Sequence, residues 1–151
     1  MTETEARVVA SGNEPLRVLV VDDLPDAADA LAAVVRLLGC ETRVCYGGAA
    51  AVEALRSELP DVLMLDLTMP LVSGLDVAAV ARDLAGHRPL LIVATTALGD
   101  LWHRTETALA GFHFHLVKPI DLPNLRGILD QCRTICRPAP TCPKESLCGG
   151  V

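Results

Sequence analysis

The sequence predicts an α/β fold, a doubly wound sheet of five parallel strands with helices on both faces. Short apolar runs without polar alternation, Val18-Leu19-Val20-Val21 and Val62-Leu63-Met64-Leu65, suit strands that are covered on both sides. Between such runs lie longer stretches with apolar residues at helical spacing. Strands and helices therefore alternate, the order that gives parallel pairing through right-handed crossovers. Three of the strands also end on charge: Val21 runs into Asp22-Asp23, Leu65 into Asp66, and Val117 into Lys118. In an open sheet of this kind the carboxyl ends of the strands form one edge, where ligands bind.

Taken in order, residues 1–16 are polar and contain Ser11-Gly12-Asn13-Glu14-Pro15, which predicts a flexible lead-in. Arg17 to Val21 is the first strand. Leu24-Pro25-Asp26 opens a helix whose Ala27, Ala30, Leu31, Val34, Leu37 and Leu38 share a face, with Gly39 as its stop. Thr42 to Cys45 is the second strand, and Ala49 to Leu59 a second helix closed by Pro60. Val62 to Leu65 is the third strand. After the loop from Pro70 to Gly74, Leu75 to Leu84 reads as a third helix stopped by Gly86. Leu90 to Thr95 is the fourth strand, Leu101 to Ala110 a fourth helix ended by Gly111, and His113 to Val117 the fifth strand. Asp121-Leu122-Pro123 places a capping acid before a proline in the first turn, which starts a fifth helix with Leu122, Leu125, Ile128, Leu129 and Cys132 as its buried stripe. The folded domain is expected over 17–137. Residues 138–151, with three prolines and Gly149-Gly150, are expected to form a disordered tail.

A chain of 151 residues has room for one domain, which at this size buries roughly 70% of its unfolded surface. Hydrophobic residues make up 51% but aromatics only 3%, so the core must be built from Ala, Leu and Val. The net charge of -6, with no Lys/Arg run, argues against a free-standing nucleic-acid binder. The acidic start lacks the features of a signal peptide, and no apolar segment approaches the ~18 residues of a membrane helix. A cytoplasmic protein with no membrane contact is expected. Cys40 and Cys45 read as small core residues, and Cys132, Cys136, Cys142 and Cys148 lack the paired spacing of a zinc site. Free thiols are the expectation.

Carboxylates converging on one edge repel each other by roughly 4 kcal/mol per pair at close range and an effective dielectric near 20. Such a cluster calls for a cation. Oxygen ligands without His or Cys suit Mg²⁺ better than zinc. The competing reading, that Asp22 and Asp23 only cap the following helix, suits one acid better than two. Relief of repulsion predicts that Asp22→Ala or Asp23→Ala stabilises the metal-free fold. Lys118 is one of two lysines, beside eleven arginines, and its compact ammonium suits a specific contact more than a solvated face.

In these motifs the chain, over about residues 17 to 135, resembles the receiver domains of two-component response regulators. The likeness rests on Asp22-Asp23, on Asp66-Leu67-Thr68-Met69-Pro70 with Gly74, on Thr96-Ala97, and on Lys118-Pro119. It implies a flavodoxin-like strand order 2-1-3-4-5. It also implies that Asp66 accepts the phosphoryl group while Lys118 neutralises its oxygens, with Mg²⁺ held by Asp23, Asp66 and the carbonyl of Thr68, and with Asp22 acting partly through water. An alternative keeps Asp66 as a metal ligand only. Thr96 is favoured over Thr95 as the switch hydroxyl, because it stands 30 residues after Asp66 and 22 before Lys118, the register of the family. His115 occupies the switch position where receivers often carry Tyr or Phe; a plain strand-end His is the other reading. The Lys118-Pro119 peptide is cis in the family.

The resemblance implies a stand-alone receiver, phosphorylated by a sensor histidine kinase or a histidine phosphotransfer protein. The 14 residues of 138–151 are too few for an output domain. Output through a downstream protein target is therefore expected, across the fourth helix, fifth strand and fifth helix, with no nucleic acid bound. Trp102 in that fourth helix is either a contact anchor or a packing residue. The alternative function is a phosphate-ester hydrolase using Asp66 as nucleophile. It is disfavoured because Thr68 stands where a second catalytic acid would be needed.

Overall fold

The five strands expected from the sequence form, and they pair in one parallel sheet. The computed structural model describes residues 14–67, 69, 71–96 and 111–137. Strands β1 (Arg17–Val21), β2 (Glu41–Cys45), β3 (Val62–Asp66), β4 (Leu91–Thr96) and β5 (Phe114–Val117) lie in the order β2-β1-β3-β4-β5. The register pairs Val21 with both Cys45 and Leu65, Asp66 with Thr95, and Thr96 with Val117, so all five carboxyl ends share one edge. Helices α1 (Pro25–Leu37), α2 (Gly48–Ser57), α3 (Gly74–Ala85) and α4 (Leu122–Cys136) connect or follow them. The expected helix over 101–110, with Trp102, lies outside the described residues, as do most of the lead-in and the whole tail over 138–151.

Strand alternation divides the interior into two cores. Val18, Val20, Val62, Met64 and Val93 pack toward Ala28, Ala32 and Val35 of α1 and Leu125, Leu129 and Cys132 of α4. Leu19, Val21, Leu63, Leu65 and Ile92 face Ala51 and Leu55 of α2 and Val77, Ala78 and Ala81 of α3. Alanines on the buried helix faces let the helices lie close to the sheet, as a composition poor in aromatics requires. Cys40, Cys45 and Cys132 are buried in these layers as free thiols. Burial pushes the Cys132 thiol up to about 12, which leaves it protonated and unreactive.

Element boundaries differ from the sequence expectation by one or two residues, for local reasons. Ser73 caps α3: its hydroxyl accepts Asp76 N–H at 3.2 Å while the Asp76 carboxylate accepts Ser73 N–H at 3.4 Å. The helix therefore begins at Gly74. Asp121 caps α4 as expected, accepting Asn124 N–H at 3.0 Å. Leu16, assigned to the lead-in from sequence, is 1% exposed, and its carbonyl accepts Glu41 N–H. At the foot of the sheet, Asp61 accepts Arg17 N–H at 2.9 Å and pairs with Arg137 at 2.7 Å, tying the end of α4 to the starts of β1 and β3.

At the foot of β5 a side chain replaces a ladder carbonyl. Gly111 turns the chain with φ 86°, and His113 N–H then donates to Ile92 O at 2.8 Å. Its Nδ1 accepts Ile92 N–H in return at 3.0 Å, so the ring proton sits on Nε2. Burial, and then the charge of Arg82, hold the His113 pKa below its ordinary 6.5. A depressed pKa in the folded state gives stability that is complete above the unfolded value and lost as pH falls through the folded one. Melting temperature is therefore expected to fall as the pH drops below about 6.5, and His113→Asn, whose amide oxygen still accepts, should flatten that part of the curve. His113→Ala should cost about 1 kcal/mol near neutral pH. Equal slopes in wild type and His113→Asn would show that the ring is not the titrating group.

Candidate functional site

Among the described residues, the carboxyl edge of the sheet gathers three acids and one lysine. Asp22 follows β1, Asp66 ends β3, and both are buried, at 5% and 2% exposure; Asp23 is half-buried. One carboxylate oxygen from each of Asp22, Asp23 and Asp66 lies within 4.8 Å of the others. Lys118, just past β5, reaches across β4 to place Nζ 2.9 Å from Asp22 Oδ2 and 3.6 Å from Asp66 Oδ2. Three carboxylates against one ammonium leave a formal charge of -2, and the donor set is all oxygen. That set fits Mg²⁺, with Asp22, Asp23 and Asp66 as the groups able to hold it.

Local folding aims each group. Leu24 N–H donates to Asp22 Oδ1 at 3.0 Å, which fixes the carboxylate ahead of α1 and leaves Oδ2 for Lys118. Asp22 thus serves the turn and the cluster together, which answers the capping alternative. Burial alone would raise its pKa, but the Leu24 N–H and the Lys118 ammonium outweigh it and hold the carboxyl below its usual value. For Lys118 burial again opposes the charge, yet Asp22 and Asp66 raise its pKa above the ordinary lysine value. The Lys118-Pro119 peptide is cis.

The backbone of β4 ties this edge together. Leu67 N–H donates to Thr95 O at 3.1 Å, and Lys118 N–H donates to Thr96 O at 2.7 Å. Thr95 continues the strand face of Leu91 and Val93, while Thr96 takes the other parity; both are buried. Thr96 thus sits in the strand between Asp66 and Lys118. His115 is half-buried and both its ring nitrogens are shielded from solvent, so the plain exposed strand-end His is not what the fold contains. Thr68 lies outside the described residues.

Gly74, part of the motif read from the sequence, positions Asp66 through the backbone. A Cβ on Gly74 would lie 2.5 Å from Asp66 O and 3.0 Å from Leu67 Cα, so the start of α3 rests directly on the peptide that carries Asp66. Only glycine allows so close an approach. Leu71, in the same loop, is fully exposed with φ 64°, a left-handed conformation costly for a branched side chain.

A five-stranded sheet in this order, with acids and a lysine at its carboxyl edge, defines the class of receiver-like signalling domains. Residues 18–130 match the response regulator receiver domain, and the chain belongs to that family. It is 35% identical over 106 residues to the DNA-binding response regulator MtrA of Mycolicibacterium smegmatis, covering 70% of this chain and 46% of MtrA. It is 29% identical over 137 residues to the transcriptional regulatory protein TrcR of Mycobacterium tuberculosis, covering 88% of this chain and 52% of TrcR. The chain thus spans about half the length of these curated relatives. A putative response regulator from Chloroflexus aurantiacus superposes with a TM-score of 0.72 at 28% identity, over 80% of this chain and 99% of that one. The receiver domain of sensor histidine kinase PA1611 from Pseudomonas aeruginosa, with a magnesium ion in its active-site cleft, gives 0.71 at 25% identity, over 80% and 98%.

The pairing separates the two N-terminal acids, for which repulsion alone predicts the same effect on the metal-free fold. In EDTA, Asp23→Ala should raise thermal stability by about 1 kcal/mol through relief of repulsion. Asp22→Ala should lower it, because Lys118 and Leu24 N–H lose their acceptor. Parallel shifts in thermal melts would contradict this division. Gly74→Ala should cost about 1–3 kcal/mol by overpacking against Asp66, read in the same melts.

Proposed function

We infer that this domain takes a phosphoryl group onto Asp66 from the phosphohistidine of a partner kinase or histidine phosphotransfer protein, and that the resulting change alters a protein-binding surface. The observation that carries this reading is the meeting of Asp22, Asp23 and Asp66 within 4.8 Å beside Lys118 Nζ. Asp66 Oδ attacks phosphorus in line, the P–N bond to the donor imidazole breaks, and the imidazole leaves with the electron pair. Lys118, freed from Asp22, follows the negative charge onto a phosphoryl oxygen. Thr96 donates its hydroxyl to another, and His115 moves with it as the β4–β5 surface repacks. Water later cleaves the acyl phosphate and regenerates the Asp66 carboxylate.

Asp22, Asp23 and Asp66 would hold Mg²⁺, with the Thr68 carbonyl as a further ligand from the family resemblance. When bound, the ion supplies positive charge that offsets the carboxylates and the transferring oxygens. A groove of about 370 Å³ between α1 and α4, with Leu31, Val34, Ile120 and Leu125 in its walls, opens beside Asp22 and Lys118 and supports donor docking there. No described helix is long and apolar enough to cross a membrane, and the reading carries with it a cytoplasmic location. Output passes to a downstream protein target.

Incubation with acetyl phosphate and Mg²⁺ should add one phosphoryl group that hydroxylamine removes. Mass spectrometry should find no adduct in Asp66→Asn, and labelling slowed by about 100-fold in Lys118→Ala. An undiminished adduct in Asp66→Asn would refute the assignment. Multiple turnover of a phosphate ester would favour the hydrolase.

A further inference from the structure

At the edge of the sheet opposite Asp66, the last turn of α3, the approach to β4 and the foot of β5 enclose a cleft of about 360 Å³. Arg82, Arg88 and His113 line it, and among the described residues no carboxylate does. The Arg82 guanidinium lies against Gly111, whose φ of 86° is one that side-chain-bearing residues rarely adopt. His113 cannot offer an acceptor here, because its Nδ1 is committed to Ile92 N–H and its proton must sit on Nε2. Two arginines and a histidine whose ring can only donate thus line the cleft. A guanidinium has five N–H donors, so a contact that Arg82 already makes leaves others for a ligand.

We propose that this cleft binds a phosphate monoester, its dianionic head taken by Arg82, Arg88 and His113 Nε2–H. Arginine matches such a head with paired N–H donors, and three donors from separate elements suit a tetrahedral group better than a planar carboxylate. The volume lies in the range of small-molecule sites and leaves space for the organic part of the ester. An anion on Nε2–H makes Nδ1 a better acceptor, so binding tightens the His113–Ile92 bond that starts the β4–β5 ladder. The site stands apart from Asp66 and does not depend on its chemistry.

The test is an NMR titration of the ¹⁵N-labelled full chain in EDTA, near neutral pH, with glycerol 3-phosphate, with a phosphoserine peptide, and with chloride at matched ionic strength. Saturable shifts at Gly111, His113 and Ile92 are expected with a phosphate monoester and not with chloride, together with slower exchange of the Ile92 amide. Saturation by glycerol 3-phosphate identifies a free metabolite as the ligand type; saturation by the peptide alone identifies a phosphorylated protein. Arg88→Glu, an exposed position, should weaken binding by at least about tenfold while leaving Asp66 labelling by acetyl phosphate unchanged. Arg82→Ala should do the same, and if it fails to fold, the Arg88 variant alone decides. Linear shifts with every phosphate, or saturation undiminished in Arg88→Glu, would overturn the proposal.

Discussion

The structure depends on one electrostatic conflict: the carboxylates of Asp22, Asp23 and Asp66 meet within 4.8 Å, with the ammonium of Lys118 among them. Oxygens at that separation repel by roughly 3 kcal/mol per pair at an effective dielectric near 20, and one lysine compensates only part of it. The rest of the fold holds the groups in place against that repulsion. β1 and β3 are adjacent and central, each covered by helices on both faces, so their ends cannot drift apart without breaking two cores. Gly74 presses α3 onto the Asp66 peptide, and the Asp22 turn fixes the opposing carboxylate.

Lys118 is divided unequally, nearer to Asp22 than to Asp66. In the reading we propose, this makes the lysine a movable charge. It satisfies Asp22 while Asp66 is a carboxylate and transfers its attention when new negative charge arrives at Asp66. Because Lys118 N–H is bonded to Thr96 O, any shift of the lysine backbone is felt directly at the end of β4. The two strands best placed to report on Asp66 are thus coupled by a hydrogen bond that involves no side chain.

Much of the fold was legible because the local signals agree. Unalternated apolar runs marked strands with two covered faces, and Gly39, Gly86 and Gly111 marked the ends of helices or turns, with φ of 95°, 58° and 86°. Asp121 and Pro123 announced α4 in the same way. The convergence of Asp22, Asp66 and Lys118 was legible because each follows an apolar run, and parallel strands bring such ends to one edge. What escaped were contacts between residues far apart in sequence. Nothing near His113 shows that its ring stands in for a carbonyl, since that depends on where Ile92 arrives. Asp61 pairs with Arg137, 76 residues away, a contact that nothing in its neighbourhood announces. Which of the two neighbouring acids meets Lys118 was hidden for the same reason, since only the fold decides it.

The central claim is that these acids form one cation-binding site whose charge balance is handed to Asp66. A crystal structure with magnesium and beryllofluoride tests it most directly. The account predicts the beryllium group on an Asp66 oxygen, one ion shared by Asp23 and Asp66, and Lys118 Nζ moved from Asp22 onto a fluoride. An Asp66 without adduct, or a lysine still paired to Asp22 beside a bound fluoride, would contradict it.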